Sequence, residues 1–141
     1  MQSERVNAYN AAPAAMRALQ QAESYIQQCG LEKRLIELVK MRASQINGCA
    51  YCLDKHSKDA RRAGETEQRL YLLSAWHESP LYSERERAAL QWTDALTKIA
   101  ETHAPDPAYD AVRRQFGDKE LVDLSTPVSY THLTLPTTPY V

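Results

Sequence analysis

No stretch of this 141-residue chain approaches the roughly 20 consecutive apolar residues that a bilayer-spanning helix needs. No apolar run follows the N-terminus as a secretory signal would require. Charge of one sign is also missing: 17 Lys and Arg stand against 18 Asp and Glu, a net charge of −1. That balance gives no electrostatic footprint for nucleic acid or an anionic membrane, so neither is expected as a partner. The local basic run "KDARRAG" reads as a solvated helix face. Cysteine is too scarce for a disulfide framework. Three cysteines, two of them clustered, fit a reducing compartment and a local redox or metal role, and the expected location is cytoplasmic. Glycine is also scarce, four in the whole chain, and no alternating apolar run of strand length occurs.

What is present is helical periodicity within one domain's worth of chain. "PAAMRALQQAESYIQQ" places Ala15, Leu19, Ala22 and Ile26 at helical spacing between Pro13 and Gln28, with Gly30 beyond it as a C-cap. "LEKRLIELVKMRASQI" aligns Leu31, Leu35, Leu38, Val39 and Ile46 in a second amphipathic helix. Asn47-Gly48 breaks the pattern, and a third helix is predicted from about Cys49 to Ala63, closed by Gly64. A fourth covers Thr66 to Trp76. "SPLYSERERAALQWTDALTKIA" carries a Ser83-x-x-Glu86 capping box ahead of a fifth. Asp106-Pro107 supplies an N-cap and first-turn proline for a sixth through Phe116, and Gly117-Asp118 opens another at "KELVDL". The expected fold class is all-α.

The end of the chain breaks the pattern. From Ser125, "STPVSYTHLTLPTTPYV" has no charged residue, is rich in threonine, and has prolines at 127, 136 and 139 that argue against a continuous helix. The segment resembles translated adapter sequence at the end of a gene fragment. The domain is therefore expected to span residues 1–124, with 125–141 a non-native or disordered tail replacing a native last helix. The alternative is a genuine extended arm that packs on a partner.

The stretch "NGCAYCLDKHSKDA" carries the chemistry-bearing residues. At about 100° per residue, Cys49 and His56 lie about 20° apart around a helix, and Cys52 and His56 about 40°. The three side chains share a face near a helix start, where the unpaired N–H groups favour thiolate over thiol and lower a cysteine pKa. A histidine one turn on can exchange a proton with Cys52, and two nearby cysteines can cycle between dithiol and disulfide. Two blander readings compete. A structural zinc site would need a second ligand pair, for which Cys29, His77 and His103 are loose candidates without paired spacing. Simple core packing is the other, because C-x-x-C alone is a short pattern. By itself Cys29 reads as a small, partly buried hydrophobe, and Glu37, between Ile36 and Leu38, as a solvated helix residue.

The longer stretch "LIELVKMRASQINGCAYCLDKHSKDARRAGETEQRLYLLSAW" closely resembles the alkylhydroperoxidase D-like branch of the carboxymuconolactone decarboxylase family. The pattern is a glutamate, a C-x-x-C beginning twelve positions later, and a histidine four past the second cysteine; Glu37, Cys49, Cys52 and His56 match it. The resemblance runs from about Tyr9 to Leu124. It implies a single-domain helical bundle, homo-oligomers that are often trimers or hexamers, and reduction of hydroperoxides without a cofactor or metal. It further implies Cys52 as the peroxidatic thiolate, Cys49 as the resolving partner, His56 beside them and Glu37 in a proton relay. A separate thiol/disulfide protein would be the reductant. Helix-terminus logic alone would instead make the earlier cysteine the readier nucleophile. One position departs from the pattern: peroxidase members carry a histidine before the second cysteine, where this chain has Tyr51. Its unperturbed pKa of about 10 makes it a poor shuttle at neutral pH. Two other functions remain open: a decarboxylase-type lyase of aromatic catabolism, which is not known by this quartet, and a non-enzymatic disulfide relay using the same dithiol.

Overall fold

Local capping chemistry sets most helix ends in the computed structural model, which describes residues 5–131. Helix α1 (Ala8–Ala11) starts where Asn7 Oδ1 accepts the Asn10 N–H at 3.0 Å. Helix α2 (Pro13–Gln28) has Pro13 at its first position, where the missing N–H costs nothing. Helix α3 (Lys33–Asn47) ends at Gly48, whose φ of 64° is left-handed and strained for any residue with a Cβ. Helices α4 (Ala50–Arg62) and α5 (Glu67–Leu72) follow, the latter running into a 3-10 turn at Leu73–Ala75. Helix α6 (Glu84–Thr97) begins at the predicted capping box: Ser83 Oγ accepts the Glu86 N–H at 3.2 Å and Glu86 Oε2 accepts the Ser83 N–H at 2.9 Å.

The apolar run after Ser83 does not form one helix. It divides at Lys98 into α6 and a short α7 (Ile99–Thr102). The Thr97 and Thr102 hydroxyls donate to the carbonyls of Thr93 and Ala95, bonds that compete with the backbone ladder. Helix α8 (Asp106–Gln115) starts one residue earlier than expected, since Pro105 takes the N-cap position and Asp106 is already helical.

Helix α9 (Asp118–Tyr130) overturns the expectation that Pro127 interrupts the last helix. Proline removes one backbone donor, yet Pro127 is fully buried and the helix runs through it. The hydroxyls of Ser125, Thr126, Ser129 and Thr131 each donate to the carbonyl four residues back, which ties the turns on either side. The helix thus crosses the compositional boundary at Ser125, while Pro136 and Pro139 lie outside the described residues.

Among the described residues there is no strand, and the fold is all-α as expected. No helix among them is long and apolar enough to cross a membrane. Helix α3 is the axis: it packs against α4, α6 and α9, and every residue from Leu35 to Ser44 is buried. Two apolar clusters flank it. One joins Ile36 and Val39 to Ile26, Trp92, Val112 and Phe116. The other joins Leu38 and Met41 to Leu70, Leu73, Trp76 and Leu90. Each such side chain contributes about 1.5–3 kcal/mol on burial, so α3 is held mainly by packing.

A helix buried on all sides must also pair its charges. Arg42 grips Asp94 of α6 through two bonds, Nε–Oδ1 at 2.7 Å and Nη2–Oδ2 at 3.2 Å. Trp76 Nε1 donates to the same carboxylate at 3.2 Å. The other buried charges on α3, Glu37 and Lys40, point to the α2–α4 side.

Candidate functional site

The left-handed turn at Gly48 reverses the chain so that α4 packs back along α3. Cys49 is the N-cap of α4, and its Sγ accepts the N–H of Cys52 at 3.1 Å. Sulfur thus takes the place usually filled by a serine or aspartate oxygen. Cys52 sits in the first turn, only 3% exposed, and its thiol lies 3.5 Å from the Thr131 carbonyl at the end of α9. Both cysteines are free thiols.

The electrostatic outcome at Cys52 opposes the expectation of a lowered pKa. Burial, reinforced by the neighbouring Cys49 sulfur, pushes the Cys52 thiol up to about 12. Ser44 and the Lys55 ammonium pull the other way without offsetting it. The favourable end of α4 is too small an effect to compensate a sulfur shut away from water.

Two acid–base groups lie beneath the thiols. His56, one turn beyond Cys52, places Nδ1 3.6 Å from Glu37 Oε2 on α3. That is too long for a hydrogen bond, and neither atom has another partner among the described residues although both residues are buried. Glu37 is therefore not the solvated residue that its flanking sequence suggests. Its other oxygen, Oε1, lies 4.0 Å from the ammonium of Lys40, which is 3% exposed. Lys40 Nζ in turn lies 2.5 Å from Glu23 Oε1 on α2, and the Tyr130 hydroxyl donates to the other Glu23 oxygen. Burial pushes the Glu23 carboxyl up, but these hydrogen bonds outweigh it and hold its pKa below the ordinary value.

A cavity of about 280 Å³ opens over this network. Met16 and Leu19 from α2 and Tyr51 from α4 form part of its wall, beside Cys52, His56 and Lys40. Cys52 faces the cavity, whereas Cys49 is not among the lining residues. All four residues expected from the sequence are thus gathered at the α3–α4 contact. Two residues escaped that reading, Lys40 and Glu23. The Glu37-x-x-Lys40 spacing could have flagged the first, since three residues apart is one helix face.

One group among the described residues could geometrically hold a cation: Glu37, His56 and Asp59, with ligand atoms within 4.8 Å of one another. Its charges are already balanced. Lys40 stands beside Glu37, and Asp59 pairs with Lys55 at 2.7 Å and Arg62 at 3.3 Å. The loose zinc candidates are not brought to the cysteine pair. His77 stacks on Trp76, His103 caps α7 in a left-handed conformation, and Cys29 caps α2.

The chain is similar to several known proteins. Residues 10–95 match the profile of the carboxymuconolactone decarboxylase family. The chain is 43% identical over 122 residues to the uncharacterized protein YdfG of Bacillus subtilis, covering 86% of this chain and 83% of that protein. It is 30% identical over 97 residues to the uncharacterized protein YnjA of Escherichia coli, covering 68% of this chain and 52% of that one. A solved structure from Agrobacterium tumefaciens, described as a protein of unknown function and candidate antioxidant defence protein AhpD, superposes with a TM-score of 0.89 at 43% identity. That match covers 99% of both chains. With more than half its length matched by the profile, and Glu37, Cys49, Cys52 and His56 drawn together in one place, the chain belongs to the carboxymuconolactone decarboxylase family.

Proposed function

We propose that the protein reduces hydroperoxides through a Cys49–Cys52 dithiol–disulfide cycle. The observation that carries this reading is the placement of Cys52: a thiol facing a cavity of about 280 Å³, one turn from both a second cysteine and a histidine. The description of the Agrobacterium structure as a candidate antioxidant protein supports the same class of chemistry.

The cycle balances without a cofactor. A thiol held at about 12 does not ionise unaided at neutral pH, so Cys52 must lose its proton as it reacts. His56, on the same helix face, accepts that proton. The Cys52 sulfur attacks the terminal peroxide oxygen and the O–O bond breaks. The departing alkoxide takes the proton back from His56 and leaves as an alcohol, and Cys52 becomes a sulfenic acid. Cys49 sulfur then displaces hydroxide from that sulfenic acid, giving a disulfide and water. An external dithiol restores both thiols by exchange, entering at Cys49, the more accessible sulfur. Glu37 serves the relay by setting its negative charge opposite His56 Nδ1.

Peroxide consumption with a dithiol reductant tests the reading. Cys52→Ser should abolish turnover, by about a thousandfold or more for loss of a covalent nucleophile. Cys49→Ser should allow one oxidation and stop, leaving a sulfenic acid at Cys52 that a dimedone probe traps. Mild peroxide should yield a Cys49–Cys52 disulfide by mass spectrometry; a dithiol that persists sinks the proposal. The lyase alternative would show instead as lactone decarboxylation that survives replacement of both cysteines. A relay module would exchange disulfides with a partner without consuming peroxide.

A further inference from the structure

Lys40 has no part in the cycle described above, yet it is one of the most deeply buried charged residues of the chain. An ammonium taken out of water is costly unless closely paired, and replacing such a pair by apolar side chains is often neutral or stabilising. Packing alone therefore gives no reason for a lysine here. Its surroundings do. Nζ lies 2.5 Å from Glu23 Oε1 and 4.0 Å from Glu37 Oε1. Glu23 is 40% exposed at its side chain and reaches water, whereas Glu37 is 9% exposed and does not. Among the described residues, Lys40 is the only lysine or arginine whose charged nitrogen lies within 4.0 Å of the Glu37 carboxylate.

The Glu37 carboxylate is thus shared between two partners, its Oε1 toward the Lys40 ammonium and its Oε2 toward His56 Nδ1. Although 3.6 Å is beyond hydrogen-bond length, the negative charge of a carboxylate facing Nδ1 favours the tautomer that carries its proton there and leaves Nε2 with its lone pair. We propose that Lys40 is a positioning residue of the thiol site: latched by Glu23 of α2, it fixes the Glu37 carboxylate against His56 Nδ1, so that Nε2 exchanges the proton with the cavity. The inference deepens the peroxidase reading and rests on it for the purpose of the proton, though not for its geometry. It links three helices in series, α2 through Glu23, α3 through Lys40 and Glu37, and α4 through His56.

The test combines a spectroscopic and a kinetic arm. Nitrogen-15 NMR of histidine-labelled protein reads the His56 tautomer directly. Wild type should hold the Nδ1–H form, and Lys40→Met should move His56 toward the Nε2–H form that free histidine prefers. In steady state, Lys40→Met should lower kcat by about tenfold or more, a part of what general acid–base catalysis supplies. In the Glu37→Gln background the same change should cost less than about twofold, because residues acting as a unit are non-additive. A purely structural lysine would give independent, multiplying losses and an unchanged His56 tautomer, and either result overturns the proposal. Lys40→Gln, which keeps a hydrogen-bond donor, replaces the methionine variant if circular dichroism shows that the latter does not fold. If wild type consumes no peroxide, the redox reading fails, while the tautomer measurement still decides the role of Lys40.

Discussion

At Cys52 two familiar influences compete and burial wins. A helix N-terminus typically contributes a few tenths to about 1 kcal/mol in favour of an anion. Removing the sulfur from water outweighs it, and the pKa rises from an ordinary 9.0 to about 12. The fold therefore prefers the neutral thiol. That preference stabilises the protein fully below about pH 9 and is lost as pH rises toward 12, because the unfolded chain releases its proton first. Urea unfolding at pH 8 and at pH 11 should show an alkaline loss of stability that Cys52→Ala diminishes. Iodoacetamide at pH 8 should modify Cys49 well before Cys52; the reverse order would mean that Cys52 is more open than the 3% exposure seen here.

Helix α3 shows where sequence patterning stops being informative. Helix limits were legible because caps are local: Pro13–Gln28 is predicted and found, and Gly30, Gly48 and Gly64 all take the left-handed conformation at helix ends. Side-chain burial on α3 was not legible. The sequence reading left Glu37 as a solvated helix residue, but α4, α6 and α9 surround the helix and leave no solvated face along Leu35–Ser44, so Glu37, Lys40 and Arg42 are all buried. Pro127 failed as a helix breaker for a related reason, since packing around α9 and hydroxyl-to-carbonyl bonds outweigh one missing donor. The Arg42–Asp94 pair offers a test at this scale. Arg42→Met would leave the half-buried Asp94 carboxylate with Trp76 Nε1 as its remaining hydrogen-bond donor, and should cost about 1–3 kcal/mol in chemical denaturation. A loss under about 1 kcal/mol would place this pair with exposed ones.

Over the whole molecule, what could be read in advance was whatever lies close along the chain. Cys49, Cys52 and His56 fall within one helix and its cap, so rotation per residue alone placed them together. Glu37 came only with the family pattern, because its place depends on tertiary packing: the Gly48 turn folds α4 back on α3 and sets Glu37 under His56. The Glu23–Lys40 contact was beyond reach. It joins residues on helices whose mutual packing no local signal specifies.

The row of buried charges on α3 has a consequence for anyone who would engineer this scaffold. Removing Lys40 alone leaves Glu37 in a dry interior with no lysine or arginine nitrogen of the described residues within 4.0 Å, but removing Glu37 and Lys40 together leaves Glu23, which already reaches water, and His56 Nδ1, which has no hydrogen bond among those residues to lose. The double variant Glu37→Leu/Lys40→Met should therefore melt at or above the wild-type temperature, while Lys40→Met alone melts below it. If the proposed relay operates, such a protein would trade reactivity at its thiols for durability along one helix.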